Sequence, residues 1–214
     1  MRHLTKLEKP EALAENEEAW LTDYLADKGN GTKKYRYRHP EIKQRLKEET
    51  GFKCVYCESK IGHNTPGDIE HKVPSSKDDT HHFVWDNLTI ACTECNRRKN
   101  DYYEIGEEFL DPYNDNVEDM LEHYGPLVFW KTGENRAEIT IRQLQLNNEA
   151  RAQLIFQKMS KLDALANLIE RWSNEVNGNL KSLLLMQIEE MCQVNSEFSA
   201  MVLSVIKRKG ITIH

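Results

Sequence analysis

Four cysteines stand in two C-x2-C pairs, Cys54/Cys57 and Cys92/Cys95, with 34 residues between the pairs. A tight turn at each pair aims both sulfurs at one ion, and two such turns complete a tetrahedral thiolate site of the kind that binds zinc. Four protein ligands leave no position for water, so this zinc is expected to be structural, holding the ends of the intervening segment together. That segment contains Asp68-Ile69-Glu70-His71-Lys72 and Trp85-Asp86-Asn87-Leu88, and the second pair continues as Cys95-Asn96-Arg97-Arg98-Lys99. In a strand, alternate residues share a face, so Asp68 and Glu70 point together and His71 points away. A carboxylate beside a histidine on a distorted strand can put an acid on a metal and an imidazole near the same centre.

These residues need elements to hold them. DIEHKV reads as a short strand inside a turn-rich stretch, FVWDNLTIAC as strand or loop, and TECNRRKND as the first turns of a helix launched from the second cysteine pair. Strand, loop, strand, helix is the order of a ββα module. Upstream, Pro10–Lys28 reads as one helix stopped by Gly29-Asn30-Gly31, and Pro40–Thr50 as a second, with Gly51 at its C′ position. Downstream, 101–124 is acidic and partly helical. Residues 126–141 read as a hairpin whose strands LVFW and AEITI flank a loop with Gly133. Apolar positions at helical spacing predict amphipathic helices over 147–173 and 180–206. The class is therefore α+β: a ββα core with a zinc knuckle, between N- and C-terminal helices and with a small β-hairpin. We divide the chain into an N-terminal helical segment (1–50), the core (51–110) and a hairpin-plus-helix region (111–214).

The 214-residue chain carries a net charge of −6, which on its own argues against a polyanionic partner. The only clear positive excess falls in residues 31–99, which hold the cysteines, and local field governs association with a polyanion more than the sum does. The run Lys33, Lys34, Arg36, Arg38 with Tyr35 and Tyr37 could clamp phosphates and stack on bases. It could equally be a solvated run, or a partner for the acidic 100–150 stretch. Arg97, Arg98 and Lys99 suit backbone-phosphate contact beside Asn96. His63, His81 and His82 lie in polar loops and read as surface or substrate-side residues. The fifth cysteine, Cys192, reads as a small buried hydrophobe in a helix. An odd cysteine count and the lack of an apolar leader or a membrane-length run place the chain in the cytoplasm, away from membranes.

The ordered series Cys-x2-Cys, Glu-His, Asn-Leu, Cys-x2-Cys-Asn-x2-Lys resembles the zinc-knuckle form of the HNH endonuclease family, over Cys54 to Lys99. The resemblance implies that His71 is the general base and that Asn87 orients it by holding its other ring nitrogen. It also implies that Asn96 binds a catalytic metal. Glu70, where aspartate is more usual, would bind the same metal, with Asp68 as a candidate substitute. The residue types suit phosphodiester hydrolysis. A neutral imidazole can deprotonate water. A carboxylate and an amide oxygen suit Mg2+ or Mn2+ with water and substrate completing the shell. CVYCE, IEHKVP, WDNLTIACTECN, and further on FLDP and QLQLN, are similar to a narrower subgroup, the PtuB proteins of Septu anti-phage and some retron defence systems. In that subgroup the partner is PtuA, an ABC/SMC-type ATPase, and retron versions add a reverse transcriptase with its RNA–DNA hybrid. The acidic middle and C-terminal helices would then be the docking surface. DNA is the favoured substrate. The same site could cut RNA such as tRNA, and a zinc ribbon could instead bind nucleic acid or a partner without cutting.

Overall fold

The computed structural model describes residues 1–62 and 66–213; His63, read above as a surface histidine, lies outside the described residues. The chain opens with two short helices, α1 (Glu11–Ala14) and α2 (Glu17–Ala26), where one unbroken helix is expected from the sequence. The break falls at Glu15-Asn16, where the Asn16 side chain hydrogen-bonds back to the Ala12 carbonyl at 3.0 Å, the competition with helix that asparagine offers. α3 (Gly31–Lys34) is capped by the Asn30 side chain and continues as a 3-10 turn over Tyr35–Arg38. α4 (Pro40–Glu49) begins on its proline and ends at Gly51, which has φ +62°, the left-handed position that glycine adopts freely.

The ββα module follows. β1 (Asp68–His71) pairs antiparallel with β2 (Leu88–Ala91), Glu70 opposite Thr89 and His71 opposite Leu88. α5 (Thr93–Lys99) starts directly after, and its cap is the sulfur of Cys92, which accepts the Cys95 N–H at 3.4 Å. A two-stranded sheet cannot close a core alone, so the module is enclosed by the rest of the chain. One cluster of buried apolar residues runs from Leu4, Leu13 and Leu46 through Phe83, Leu88 and Ile90 to Leu110, Ile141, Leu154 and Met201. It therefore joins all three of the sequence segments.

Downstream come α6 (Val117–Met120), β3 (Leu121–Tyr124) and β4 (Leu127–Trp130). The hairpin exists, but earlier in the chain than the sequence reading puts it: LVFW pairs with LEHY across Gly125-Pro126. AEITI is helical, within α7 (Asn135–Gln143). Its buried positions Ala137, Thr140, Ile141 and Leu144 fall three and four residues apart, so a helical period decides over the β-branched pair Ile139 and Ile141. α8 (Ala152–Asn174) and α9 (Gly178–Cys192) form an antiparallel pair, and α10 (Ser199–Arg208) folds back after a break at 193–198. Here one helix is expected from the sequence and two form, because Phe198 takes a left-handed φ of 56° to bury its ring. Cys192 is buried in this second, smaller cluster with Leu165, Ile188 and Ile206. Among the described residues no helix is long and apolar enough to cross a membrane.

The two ends of the architecture meet at Gly51. A Cβ built there would lie 2.5 Å from the Cα of Asn195. Both the backbone conformation and this contact exclude a side chain. Gly51→Ala should therefore lower the free energy of unfolding by about 2 kcal/mol, read as a reduced urea midpoint with unchanged slope.

Candidate nuclease site and thiol knot

The two cysteine turns converge. The four sulfurs of Cys54, Cys57, Cys92 and Cys95 all lie within 4.8 Å of one another. Cys57 and Cys92 are 3.8 Å apart, close to the separation of about 3.8 Å that a tetrahedron with metal–sulfur bonds of ~2.3 Å requires. Three of the four residues are buried. Arg151, itself buried, donates to the Cys95 sulfur at 3.3 Å and to the Leu144 carbonyl at 3.1 Å. Lys158 is 3% exposed, and its charge is felt favourably by Cys57 and Cys95. Four thiolates around a divalent ion leave a net charge of −2, which these two cations balance. The donor set therefore fits one thiophilic divalent ion held in a closed shell.

α5 crosses β1 so that Asn96 lies near Asp68, and Lys99 near Glu70. Asp68 and Asn96 line one cleft of about 250 Å3 together with Tyr37, Arg38 and Lys43. Among the described residues, neither the Asp68 carboxylate nor the Asn96 amide is hydrogen-bonded within the chain. Glu70 behaves differently. It is 3% exposed, and Lys99 Nζ sits 2.6 Å from its Oε1. Burial raises the Glu70 carboxyl while Lys99 pulls it down, leaving it at about 7. The Glu70 expected from the sequence as a metal ligand is thus occupied by an ammonium group, and a cation could replace Lys99 only if the lysine moved. Asp68 and Asn96 fit a hard divalent ion as they stand.

Lys99 is likewise not on a nucleic-acid surface, where the sequence reading puts it. It is 2% exposed and also donates to the His71 carbonyl at 2.9 Å, making it an internal strut between α5 and β1. Arg97 and Arg98 both pair with Glu94, and Arg98 additionally reaches Gln145. In the basic run, Arg36 pairs with Asp23 at 2.7 Å and Lys33 with Asp27 at 3.7 Å, so the acids that answer it come from α2 and its end rather than from 100–150. Arg38 stays free of carboxylates among the described residues and stacks over Tyr35 at 4.3 Å.

The His71 imidazole donates from Nε2 to the His82 carbonyl at 2.9 Å. A carbonyl can only accept, so the proton is on Nε2 and Nδ1 keeps its lone pair. Burial, then the neighbouring His82, holds the ring neutral, with its pKa lowered to about 3. Asn87 does not touch this ring, contrary to the sequence expectation. Its Oδ1 accepts from the Val73 N–H at 2.7 Å, and its Nδ2 donates to the Val73 and His81 carbonyls, each at 3.0 Å. It pins the loop that carries the carbonyl holding His71, one residue removed from the contact.

His82, read from the sequence as a surface or substrate-side residue, is buried and central. Its Nε2–H donates to the Lys34 carbonyl at 2.7 Å, and Ser75 donates to its Nδ1 at 2.5 Å. Its ring stacks on His71, centroids 4.8 Å apart and 9° from parallel, and on Tyr24 at 4.3 Å on another side. Tyr37 stands edge-on to both imidazoles. A polar flank (Asp78, Asp79, Thr80, His81) hides this role in the sequence; the Phe83 next to it was the only signal of an inward turn. His81 itself remains exposed and pairs with Asp78.

Residues 54–102 match the HNH endonuclease family model. The chain is 28% identical, over an alignment 221 positions long, to the Septu protein PtuB of Bacillus thuringiensis, covering 96% of this chain and 82% of the relative. It is also 28% identical over 171 aligned residues to the Septu protein PtuB of Bacillus mycoides (strain KBAB4), covering 62% of this chain and 58% of that one. The chain therefore carries a nuclease domain of the HNH class and resembles PtuB along nearly its full length.

The Glu70–Lys99 pair yields a stability test. Lys99→Met leaves a buried carboxylate without its partner and should cost about 3–5 kcal/mol, while adding Glu70→Gln should restore most of it. The sign with pH follows from the raised carboxyl. Below the unfolded value near 4.5 the proton is bound in both states, and above the folded value the buried charge must be tolerated. The single-variant loss should therefore be larger at pH 8 than at pH 5 in urea unfolding.

Proposed function

We propose that this protein is a metal-dependent endonuclease that hydrolyses nucleic-acid phosphodiester bonds with His71 as general base. The observation that carries the reading is the Nε2–H bond to the His82 carbonyl. It fixes the tautomer and leaves Nδ1 as a proton acceptor on a neutral ring, which is what a base for water needs. His71 takes the proton from water. The His82 carbonyl, braced by Asn87 through the loop, keeps the ring from turning. Asp68 and Asn96 would hold the catalytic Mg2+ or Mn2+, with Glu70 a ligand only after Lys99 withdraws. When bound, such an ion neutralises charge on the phosphoryl oxygens and the leaving group. Arg38 and Lys43 flank the same cleft and supply contacts to backbone phosphates that carry no sequence information.

We further infer a structural zinc in the four-cysteine site, and a place for the protein as nuclease subunit of a bacterial Septu-type anti-phage system working in the cytoplasm. DNA is the favoured substrate. The similarity to PtuB supports the system; a PtuA-like ATPase is the partner that this similarity suggests. The exposed apolar side chains Phe156, Met159, Leu183 and Met186 on α8 and α9 suit such a contact.

Three measurements test these readings. His71→Ala should retain fold and zinc yet lose cleavage by a factor of about 10^2–10^4, assayed on labelled DNA and on total RNA with the protein in its native complex; unchanged cleavage would remove His71 from the chemistry. Asp68→Asn should reduce the Mg2+-dependent rate more than Glu70→Gln, and the reverse order would reassign the ligand. Elemental analysis should find about one zinc per chain, and clearly less would contradict the closed thiolate site.

A further inference from the structure

On the Glu70 face of the module, at the opposite end of β1 from the Asp68–Asn96 cleft, lies a second and larger cavity of about 430 Å3. Lys72 and Val73 border it where Asp68 and Ile69 border the cleft, and Lys99 borders it where Asn96 borders the cleft. Strand and helix thus agree on one direction: cleft and cavity are successive stations along the β1–α5 seam. Four strand residues separate them, about 13 Å at the usual rise, a few nucleotides of a single strand.

The chemistry of the two stations differs. The cleft presents Arg38 and Lys43. The cavity is walled by aromatic rings, Tyr103, Phe109 and Tyr113, and its cations are already neutralised. Lys72 is 2.6 Å from Asp111, Arg136 is 2.9 Å from Asp115, and Lys99 is held by Glu70. A phosphate would find no free cation there. Phe109 already stacks on Tyr102, and Lys6 and Lys72 lie over the Tyr113 ring; what remains open is the Tyr103 ring, with its hydroxyl, and the Asp86 carboxylate, and neither the hydroxyl nor the carboxylate is hydrogen-bonded among the described residues. A flat, uncharged group that carries an amino donor meets these requirements, and every base face can stack on aromatic side chains. We propose that this cavity receives one unstacked, amino-bearing nucleobase from the strand whose phosphates lie in the neighbouring cleft. The preferred substrate is accordingly a single-stranded or looped nucleic acid rather than a fully paired duplex.

The inference rests on the nuclease reading, and its test separates the two. The full chain in its native complex, silenced by His71→Ala, is titrated with fluorescently labelled single-stranded, hairpin and fully paired oligonucleotides. Each is made as DNA and as RNA, and binding is followed by anisotropy. Tight binding to single strands or loops over duplex is expected. Tyr103→Ala should weaken the favoured form about tenfold, Tyr103→Phe should preserve it, and Asp86→Asn should reduce the preference for cytosine or adenine over thymine or uracil in the unpaired positions. Thermal unfolding of each variant checks that the fold is intact. The DNA and RNA arms report which strand supplies the base. Binding that is indifferent to Tyr103→Ala and to pairing overturns the base pocket and leaves the nuclease intact; no binding to any nucleic acid overturns both.

Discussion

The convergence of four thiols on one point is the constraint from which the rest follows. Cys54 and Cys57 come from a turn after α4, Cys92 and Cys95 from the entry to α5, and bringing them together closes the chain around β1, the loop and β2. The same act sets the start of α5, because the Cys92 sulfur is also its cap. Once that helix is fixed, Asn96 and Lys99 have only one strand to face. Arg151 and Lys158 then bind α8 to the sulfurs by charge, so the C-terminal helices are attached to the knot as well as packed around it.

Charge is handled in three ways around this centre. Glu70 and Lys99 are buried against each other. His71, half-buried, and His82, buried, are both held neutral, each with a ring nitrogen donating to a backbone carbonyl. Asp68 and Asn96 are left without partners in an open cleft. Only the third arrangement offers unused oxygen ligands, and it does so beside two cations. Asp68 and Glu70, two residues apart on the same face of one strand, differ in burial and in the α5 side chain that each meets.

Much of this is legible in the sequence. Cysteine spacing gives the knot, and the order strand, loop, strand, helix gives the module, because both depend on local geometry. What escapes is set by contacts distant in sequence. Lys99 reads as a surface cation because nothing local says that Glu70 awaits it. His82 reads as a loop residue because its partners, Lys34 and Tyr24, lie 48 and 58 residues upstream. Asn87 is identified as a residue that matters, yet its contacts are with the backbone of the loop and not with the imidazole. The hairpin is displaced because AEITI suits a strand by composition and a helix by the spacing of its buried positions, and tertiary burial decides between them.

The dependence of His71 on His82, and of His82 on the Lys34 carbonyl and the Tyr24 ring, bears on modularity. The stretch that carries the nuclease signature begins at residue 54, but the walls of its histidine pocket are built by the preceding segment. Grafting 54–102 into another scaffold would transfer every signature residue, with His82 still beside His71, but leave the paired imidazoles without the Tyr24 ring, the Lys34 carbonyl and their ring-edge neighbour Tyr37. The heritable unit in sequence and the smallest portable unit in space are not the same length here.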